Sequence, residues 1–530
     1  MSATDNIALK NDPQYVAVIN ALVEKDTALA EKNVEIAELR KEIDKLHRII
    51  RSARFGVKSE RVRPTEETSN QQLLFTVELP AAKPQTVEET IKVAPHQRRA
   101  RKRYTDKDGL PSHFPPHLER RDTVITPEGS TTCEDCGAEK ERISQVVSEK
   151  LQVIPAQYFV ERINKVVLSC KCCKDKAPEK AASPDSVLPV SVLGKSFITS
   201  SLTQKFGWHI PFYRQSQMLS QLGIEIQRDV LINTAIKVGN QLKPIVRQMA
   251  KEICEAELVH IDETPCVVGI NEGGKTKFKT HSYFWPILAD GMVVFIYTGN
   301  RRHHNVKDIL GADFKGIVMS DGYEAYHSYA VSNPYVTLAL CWDHARRRFF
   351  EISDTDELAK EAVDRIGYFY KVERDIKELG LKVNEIPDYR KRHALPQLND
   401  LLDWCKKLRD KSCLLPKSKL LEAVSYVINH WDGLTVYLEH GMVPISNIII
   451  EQQIRNLKLG AKNWLFAASE VGAETVAIFN SLVCTCRING INMFEYLNDI
   501  LGCLDTKPAS QLTPKAWAKE QLLKKGQEAA

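Results

Sequence analysis

A multidomain α/β protein is predicted by three features of the chain: its length, one stretch where strand patterns alternate with helix, and sharp composition shifts before that stretch. Domains usually run to roughly 100–200 residues, so several separately cored domains are expected in 530 residues. From Leu258 onward "ELVHID", "HSYFWPIL" and "MVVFIYTG" read as three strands, the last two joined by a turn at Ala289 to Gly291. A short helix at "NVKDIL" precedes a fourth strand, "GIVMSDG", and a fifth, "YVTLALC", leads into a helix at "WDHARRRFFEI". Three strands followed by alternating strand and helix is the order of a ribonuclease H-like mixed sheet.

At the N-terminus, Leu22, Leu29, Ile36, Ile43 and Ile50 recur every seven residues, with Leu39 and Leu46 completing the second seam position. Charged residues fill the intervening positions, so residues 1–58 are expected to form a coiled coil that joins copies of the chain into a homo-oligomer. Residues 59–105 read as a linker, apolar-poor from Ser59 to Pro95 and ending in "HQRRARKRY". The net charge of +5 is modest, yet Arg98, Arg99, Arg101, Lys102 and Arg103 concentrate it, and a polyanion is the matching partner.

Residues 106–180 carry five of the thirteen cysteines, and the other eight are scattered beyond residue 250. That clustering favours reduced thiols with one metal site over a disulfide framework. Cys133 with Cys136, and Cys170 with Cys173, form two C-x-x-C knuckles, the ligand inventory of a structural Zn²⁺ site, with Cys172 as an alternative to Cys173. Residues 181–256 look helical, broken at "GWHIPFYRQ", and are a candidate DNA-binding segment. The sheet and its helices occupy residues 257–352, a charged helical insertion 353–440, the completion of the core 441–505 and a tail 506–530. The N-terminus lacks a basic start and an apolar core, and no apolar run approaches the ~18 residues of a membrane span, so a cytoplasmic protein without membrane contact is expected.

Two strands end on carboxylates, Asp262 in "HIDET" and Asp321 in "VMSDGYEAY". As neighbours at one sheet edge they would repel unless cations intervened, and hard oxygen ligands suit two Mg²⁺ or Mn²⁺ ions. A third carboxylate is sought on the late helix, where Glu451 follows Ile448–Ile450 and competes with Glu439, Glu470 and Glu474. Strand alternation turns Glu263 away from Asp262. In "CWDHARRRFFE", Cys341 and His344 form a C-x-x-H pair that reads as a packed cysteine and a helix-start histidine, with a zinc role, for which only two ligands are visible, as the alternative. Arg346, Arg347 and Arg348 are placed to meet phosphates, and Lys462 and Trp464 to act as cation and stacking platform.

Across nearly its whole length the chain resembles the DDE transposases of insertion sequence 66. The resemblance rests on the zipper-like helix leading into "ARFGVKSER", "LPSHFPPHLERRD", the cysteine pairs, "HIPFYRQ", "HIDET", "SDGYEAY", "CWDHARRRFFE", "EQQIRNLKLGAKNWLF" and "SLVCTCRINGINMFEYL", in the family's order. It implies a ribonuclease H-like catalytic domain and carries the acidic triad onto Asp262, Asp321 and Glu451. It also implies a transposase that binds element ends and target in double-stranded DNA, then cleaves and transfers strands with two metal ions. Small accessory proteins of the same element and association with the nucleoid are further expectations. Where the family has an aspartate and paired asparagines, an arginine after the glutamate and an arginine before the lysine, this chain has Ser446, Asn447, Ile448, Gln452 and Ala461. Those departures keep two alternatives open, a catalytically silent DNA-binding derivative and a structure-selective nuclease.

Overall fold

The structure, a computed structural model, describes residues 104–105, 111–112, 135, 138, 151, 157–168, 179–180, 186–188, 191–272, 275–410 and 418–528. The heptad seam, the basic run at 98–103 and the four knuckle cysteines lie outside the described residues. The chain divides into two compact units, Arg63–Ser183 and Met1–Val62 with Pro184–Ala530. In the smaller unit, β1 (Tyr104–Thr105) pairs antiparallel with β2 (Pro111–Ser112), and β3 (Val167–Leu168) with β4 (Glu179–Lys180).

In the larger unit, α1 (Lys195–Leu202) continues into a π-helical turn at Thr203–Gly207, and α2 (Phe212–Ser220) and α3 (Arg228–Cys254) follow. Proline at position 211, unable to donate a helical N–H, and His209, at a left-handed φ of 62°, separate the first two helices. Leu231, Val238, Leu242, Ile245, Met249 and Ile253 form the buried stripe of α3, with the three-to-four spacing that puts residues on one helical face.

The sheet comprises β5 (Leu258–Ile261), β6 (Thr264–Glu272), β7 (Lys275–Ala289), β8 (Met292–Thr298), β9 (Gly316–Ser320) and β10 (Val336–Leu340). Across it the order is β8, β7, β5, β9, β10: β7 is antiparallel to β8 and β5, β9 is parallel to β5, and β10 is parallel to β9. Asp290 and Gly291, both at positive φ, make the two-residue turn that lets β7 and β8 pair without splaying. Strand β6 is an addition to the strands read from the sequence, the first of which stopped at "ELVHID" before Glu263. Pro265 lies inside β6, a strand at the sheet's edge, where a missing N–H costs least.

Helices α4 (His304–Leu310), α5 (Glu324–Ser332) and α6 (Trp342–Phe350) alternate with the later strands. Then come α7 (Glu357–Leu379), α8 (Ile386–His393), α9 (Leu395–Asp410), α10 (Lys419–Asn429) and α11 (Trp431–Thr435). The chain closes with α12 (Ile448–Trp464), α13 (Glu470–Ile488), α14 (Met493–Ile500), α15 (Ala509–Leu512) and α16 (Pro514–Glu528).

Strand alternation separates the two larger of the three cores that the described residues form. Val259, Ile261, Ile287 and Val318 pack with α1, α3 and α13, whereas Ile317, Met319, Ala339 and Leu340 pack with α6 to α11. Helix α13 also amends the membrane expectation, because it is long and apolar enough to cross a bilayer. It is instead a core helix, burying Phe479, Leu482 and Val483, while its Ser481 and Thr485 hydroxyls accept the N–H groups of Phe295 and Val293 in β8.

Candidate active site

Strand register builds the site. The parallel pairing of β5 with β9 ends at His260 opposite Met319, and two residues further on each strand stand Asp262 and Asp321. Likewise β10 ends with Leu340 opposite Ser320, so Cys341 follows beside Asp321. Local bonds fix both carboxylates: Asp262 Oδ1 accepts the Glu263 N–H at 2.8 Å and Asp321 Oδ1 accepts the Tyr323 N–H at 2.9 Å. A side chain at Gly322 would meet the Tyr426 hydroxyl at 2.6 Å and His430 Nε2 at 3.0 Å, so α10 and its end press against the backbone beside Asp321.

Glu451 sits in the first turn of α12. That turn is anchored to β5 by Asn447, whose Oδ1 accepts from His260 Nδ1 at 2.7 Å and whose Nδ2 donates to Ile261 O at 3.0 Å. The Asn447 N–H also donates to Cys341 Sγ at 3.2 Å. The Glu451 carboxylate lies 3.8 Å from His344 Nδ1 through Oε1 and 3.5 Å from the Arg347 guanidinium through Oε2.

The electrostatics match an acidic cluster short of positive charge. Burial, then the charges of Glu263, Asp321 and Glu451, hold the Asp262 carboxyl well above the ordinary range. Burial and Asp321 raise Glu263 in the same direction. Glu263 does not point harmlessly away. Its side chain is 3% exposed, accepts from Arg301 Nε at 2.8 Å and from the Tyr326 hydroxyl, and Arg301 in turn lies 3.8 Å over the Tyr323 ring. The link between β5 and β6 is two residues long, too short for alternation to decide where Glu263 points. Glu263, Asn447, His260 and Arg301 were not recognisable as site residues, since their partners lie 38 to 187 positions away.

Cys341 is buried, and its thiol is pushed up to about 12, mainly by that burial. Cys341 Sγ, His344 and Glu451 present ligand atoms within 4.8 Å of one another. Arg347 is engaged with Glu451 and Arg348 stacks 4.2 Å from the Tyr426 ring, so both have protein partners. Arg346 lies 6.0 Å from the Phe350 ring. Lys462 is exposed, whereas the Trp464 indole is covered by Lys205 at 3.9 Å. Burial lowers that ammonium to about 7.

The described residues at the centre of the site, Asp262, Asp321 and Glu451, offer only oxygen ligands, with a buried Glu451 Oε1 that lacks a hydrogen-bond partner. A buried carboxylate cluster in which Asp321 and Glu451 both act on the charge of Asp262 is chemistry that a divalent cation would neutralise.

Comparison with known proteins points the same way. Residues 190–475 match the family model described as Transposase IS66 family, residues 130–174 match the zinc-finger binding domain of transposase IS66, and residues 38–123 match Transposase C of IS166 homeodomain. Among curated relatives, uncharacterized protein y4hP of Sinorhizobium fredii (strain NBRC 101917 / NGR234) is 27% identical over 77% of this chain and 76% of its own length. Uncharacterized protein y4jD of the same organism is 28% identical over 77% of this chain and 82% of its own.

Proposed function

Because the chain belongs to the IS66 family of transposases, we propose that it binds the ends of its mobile element and catalyses DNA cleavage and strand transfer, with Asp262, Asp321 and Glu451 as the acidic triad. The observation that carries this reading is the strand register, which sets Asp262 beside Asp321 at the carboxyl ends of parallel β5 and β9. The sheet order β8, β7, β5, β9, β10 supports a ribonuclease H-like core, since three antiparallel strands precede two parallel ones.

The three carboxylates would hold two Mg²⁺ (or Mn²⁺) ions, which when bound activate a water or 3′-hydroxyl and stabilise the leaving oxygen of an in-line phosphoryl transfer. Asn447 keeps the first turn of α12 against β5 and so holds Glu451 near the aspartates. Arg347 neutralises one Glu451 oxygen, and Arg301 does the same for Glu263, which limits the negative charge a DNA phosphate must approach. The match at 130–174 supports structural Zn²⁺ on Cys133, Cys136, Cys170 and Cys173, and the match at 38–123 supports DNA contact by the N-terminal part. Self-association through Leu22, Leu29, Ile36, Ile43 and Ile50, accessory proteins and a nucleoid location complete the proposal.

The test is strand transfer with Mg²⁺ on double-stranded DNA carrying the element's ends, beside a binding assay. Asp262→Asn and Glu451→Gln should fall to background while end binding persists. Full activity in either variant overturns the triad. An unsubstituted protein that binds ends tightly and never cuts favours the silent-binder alternative, and cutting without regard to end sequence favours the nuclease.

A further inference from the structure

We propose that Cys341, His344 and Glu451 form a second, thiolate-containing metal site for a borderline divalent ion such as Zn²⁺, whose occupation withdraws Glu451 from Asp262 and Asp321. The binding half stands on geometry alone. The withdrawal half rests on the catalytic reading given above.

Three elements converge on this site. Cys341 ends β10 and begins α6, fixed by its N–H to Ser320 O at 3.1 Å and by the Asn447 N–H on its sulfur. His344 lies three residues on, in the first turn of α6, which places it on the same side as Cys341. Glu451 arrives from α12 across the gap.

His344 Nδ1 and Glu451 Oε1 are both buried without a hydrogen-bond partner, and they face each other at 3.8 Å, too far for a hydrogen bond. Tetrahedral Zn²⁺, with bonds of about 2.0–2.3 Å, places its ligand atoms roughly 3.3–3.8 Å apart. The three candidate ligand atoms already lie within 4.8 Å of one another. Small side-chain rotations close the difference.

Ligand chemistry selects the ion. A thiolate and an imidazole favour Zn²⁺ or Co²⁺, whereas the all-oxygen set of Asp262 and Asp321 favours Mg²⁺. Charge also balances, since one thiolate and one carboxylate neutralise a divalent ion. Arg347 meets the other oxygen, Oε2, and so leaves Oε1 to the metal. Three protein ligands leave the fourth position to water.

The experiment is a Co²⁺ titration of the full chain, counting bound equivalents from thiolate-to-metal absorption. The unsubstituted protein should bind one equivalent more than Cys341→Ser and than His344→Ala, and a different equivalent should disappear in Cys136→Ser. Equal stoichiometry in the unsubstituted and both site variants overturns the proposal. If these variants unfold, zinc-edge X-ray absorption on the unsubstituted protein decides: a zinc with one sulfur and lighter ligands supports the site, and only four-sulfur zinc refutes it. For the withdrawal half, micromolar Zn²⁺ should depress Mg²⁺-dependent strand transfer about tenfold in the unsubstituted protein and far less in Cys341→Ser. Equal inhibition of both refutes withdrawal. A chain with no Mg²⁺ activity at all refutes the catalytic reading, while the Co²⁺ count still reports on the metal site.

Discussion

Asp262 and Glu263 hold their protons more tightly in the folded chain than in an unfolded one. Both folded pKa values lie above those of the unfolded chain, so the folded state binds more protons and is favoured at low pH. The contribution is fully present below the unfolded range, about 4, and is lost as pH rises through the raised values. In buffer without added divalent ions, urea midpoints should therefore fall as pH rises above the unfolded carboxylate range, and Asp262→Asn should flatten that slope. Adding Mg²⁺ should restore stability at the alkaline end, because the ion binds the folded, ionised cluster. An unchanged slope in the variant would mean that Asp262 is already ionised. At this scale the two aspartates were legible because a carboxylate ending an apolar strand is conspicuous. Glu263 was not, because its burial comes from Arg301 and Tyr326, and no local pattern brings those side chains to it.

Elements were legible where their own residues dictate them. The hairpin turn at Ala289 to Gly291 and the helical break at "HIPF" follow from glycine, asparagine-like and proline geometry. Strand β6 was hidden by Pro265, which is tolerated only because tertiary placement puts the strand at an edge. The anchoring of α12 was hidden too, since it depends on a single amide reaching β5. Asn447→Ala should strand the Ile261 carbonyl and the His260 ring nitrogen, costing about 2–4 kcal/mol in urea unfolding. It should also raise the Mg²⁺ concentration for half-maximal cleavage, because the helix that carries Glu451 loses its tie; an unaltered Mg²⁺ requirement would make Asn447 purely structural. Further along α12, a methyl group at Gly460 would lie 2.0 Å from the Trp464 ring. Gly460→Ala should thus cost about 1–3 kcal/mol, and a double-mutant cycle should find that cost largely gone in a Trp464→Ala background.

At the scale of the whole molecule, the helices of 353–440 read in sequence as an insertion, a word that suggests a part that can be removed. Packing argues otherwise. Ile317, Met319, Ala339 and Leu340 have their apolar faces buried in one core that these helices form together with α6. A side chain at Gly433 in α11 would lie 2.7 Å from Leu340, so the contact is close as well as apolar. The Trp342 indole donates to Leu434 O at 2.8 Å, and Arg390 bonds Glu373 and the carbonyls of Tyr437 and Val443, tying the helices to one another and to α6. Elements that bury one another's apolar faces lose that burial together, so they should open together. Hydrogen exchange on the full chain tests this peptide by peptide: amides of β9, β10, α9 and α10 should share one opening free energy and one response to denaturant. Exchange of α9 and α10 that is faster by orders of magnitude, with β9 and β10 still protected, would show a separable insertion. Co-opening has a consequence for the site, because Tyr426 and His430 press on Gly322 beside Asp321. Mutations that loosen α10 from the sheet should then weaken the Mg²⁺ response before they unfold the chain, and Tyr426→Ala is the variant in which to measure both.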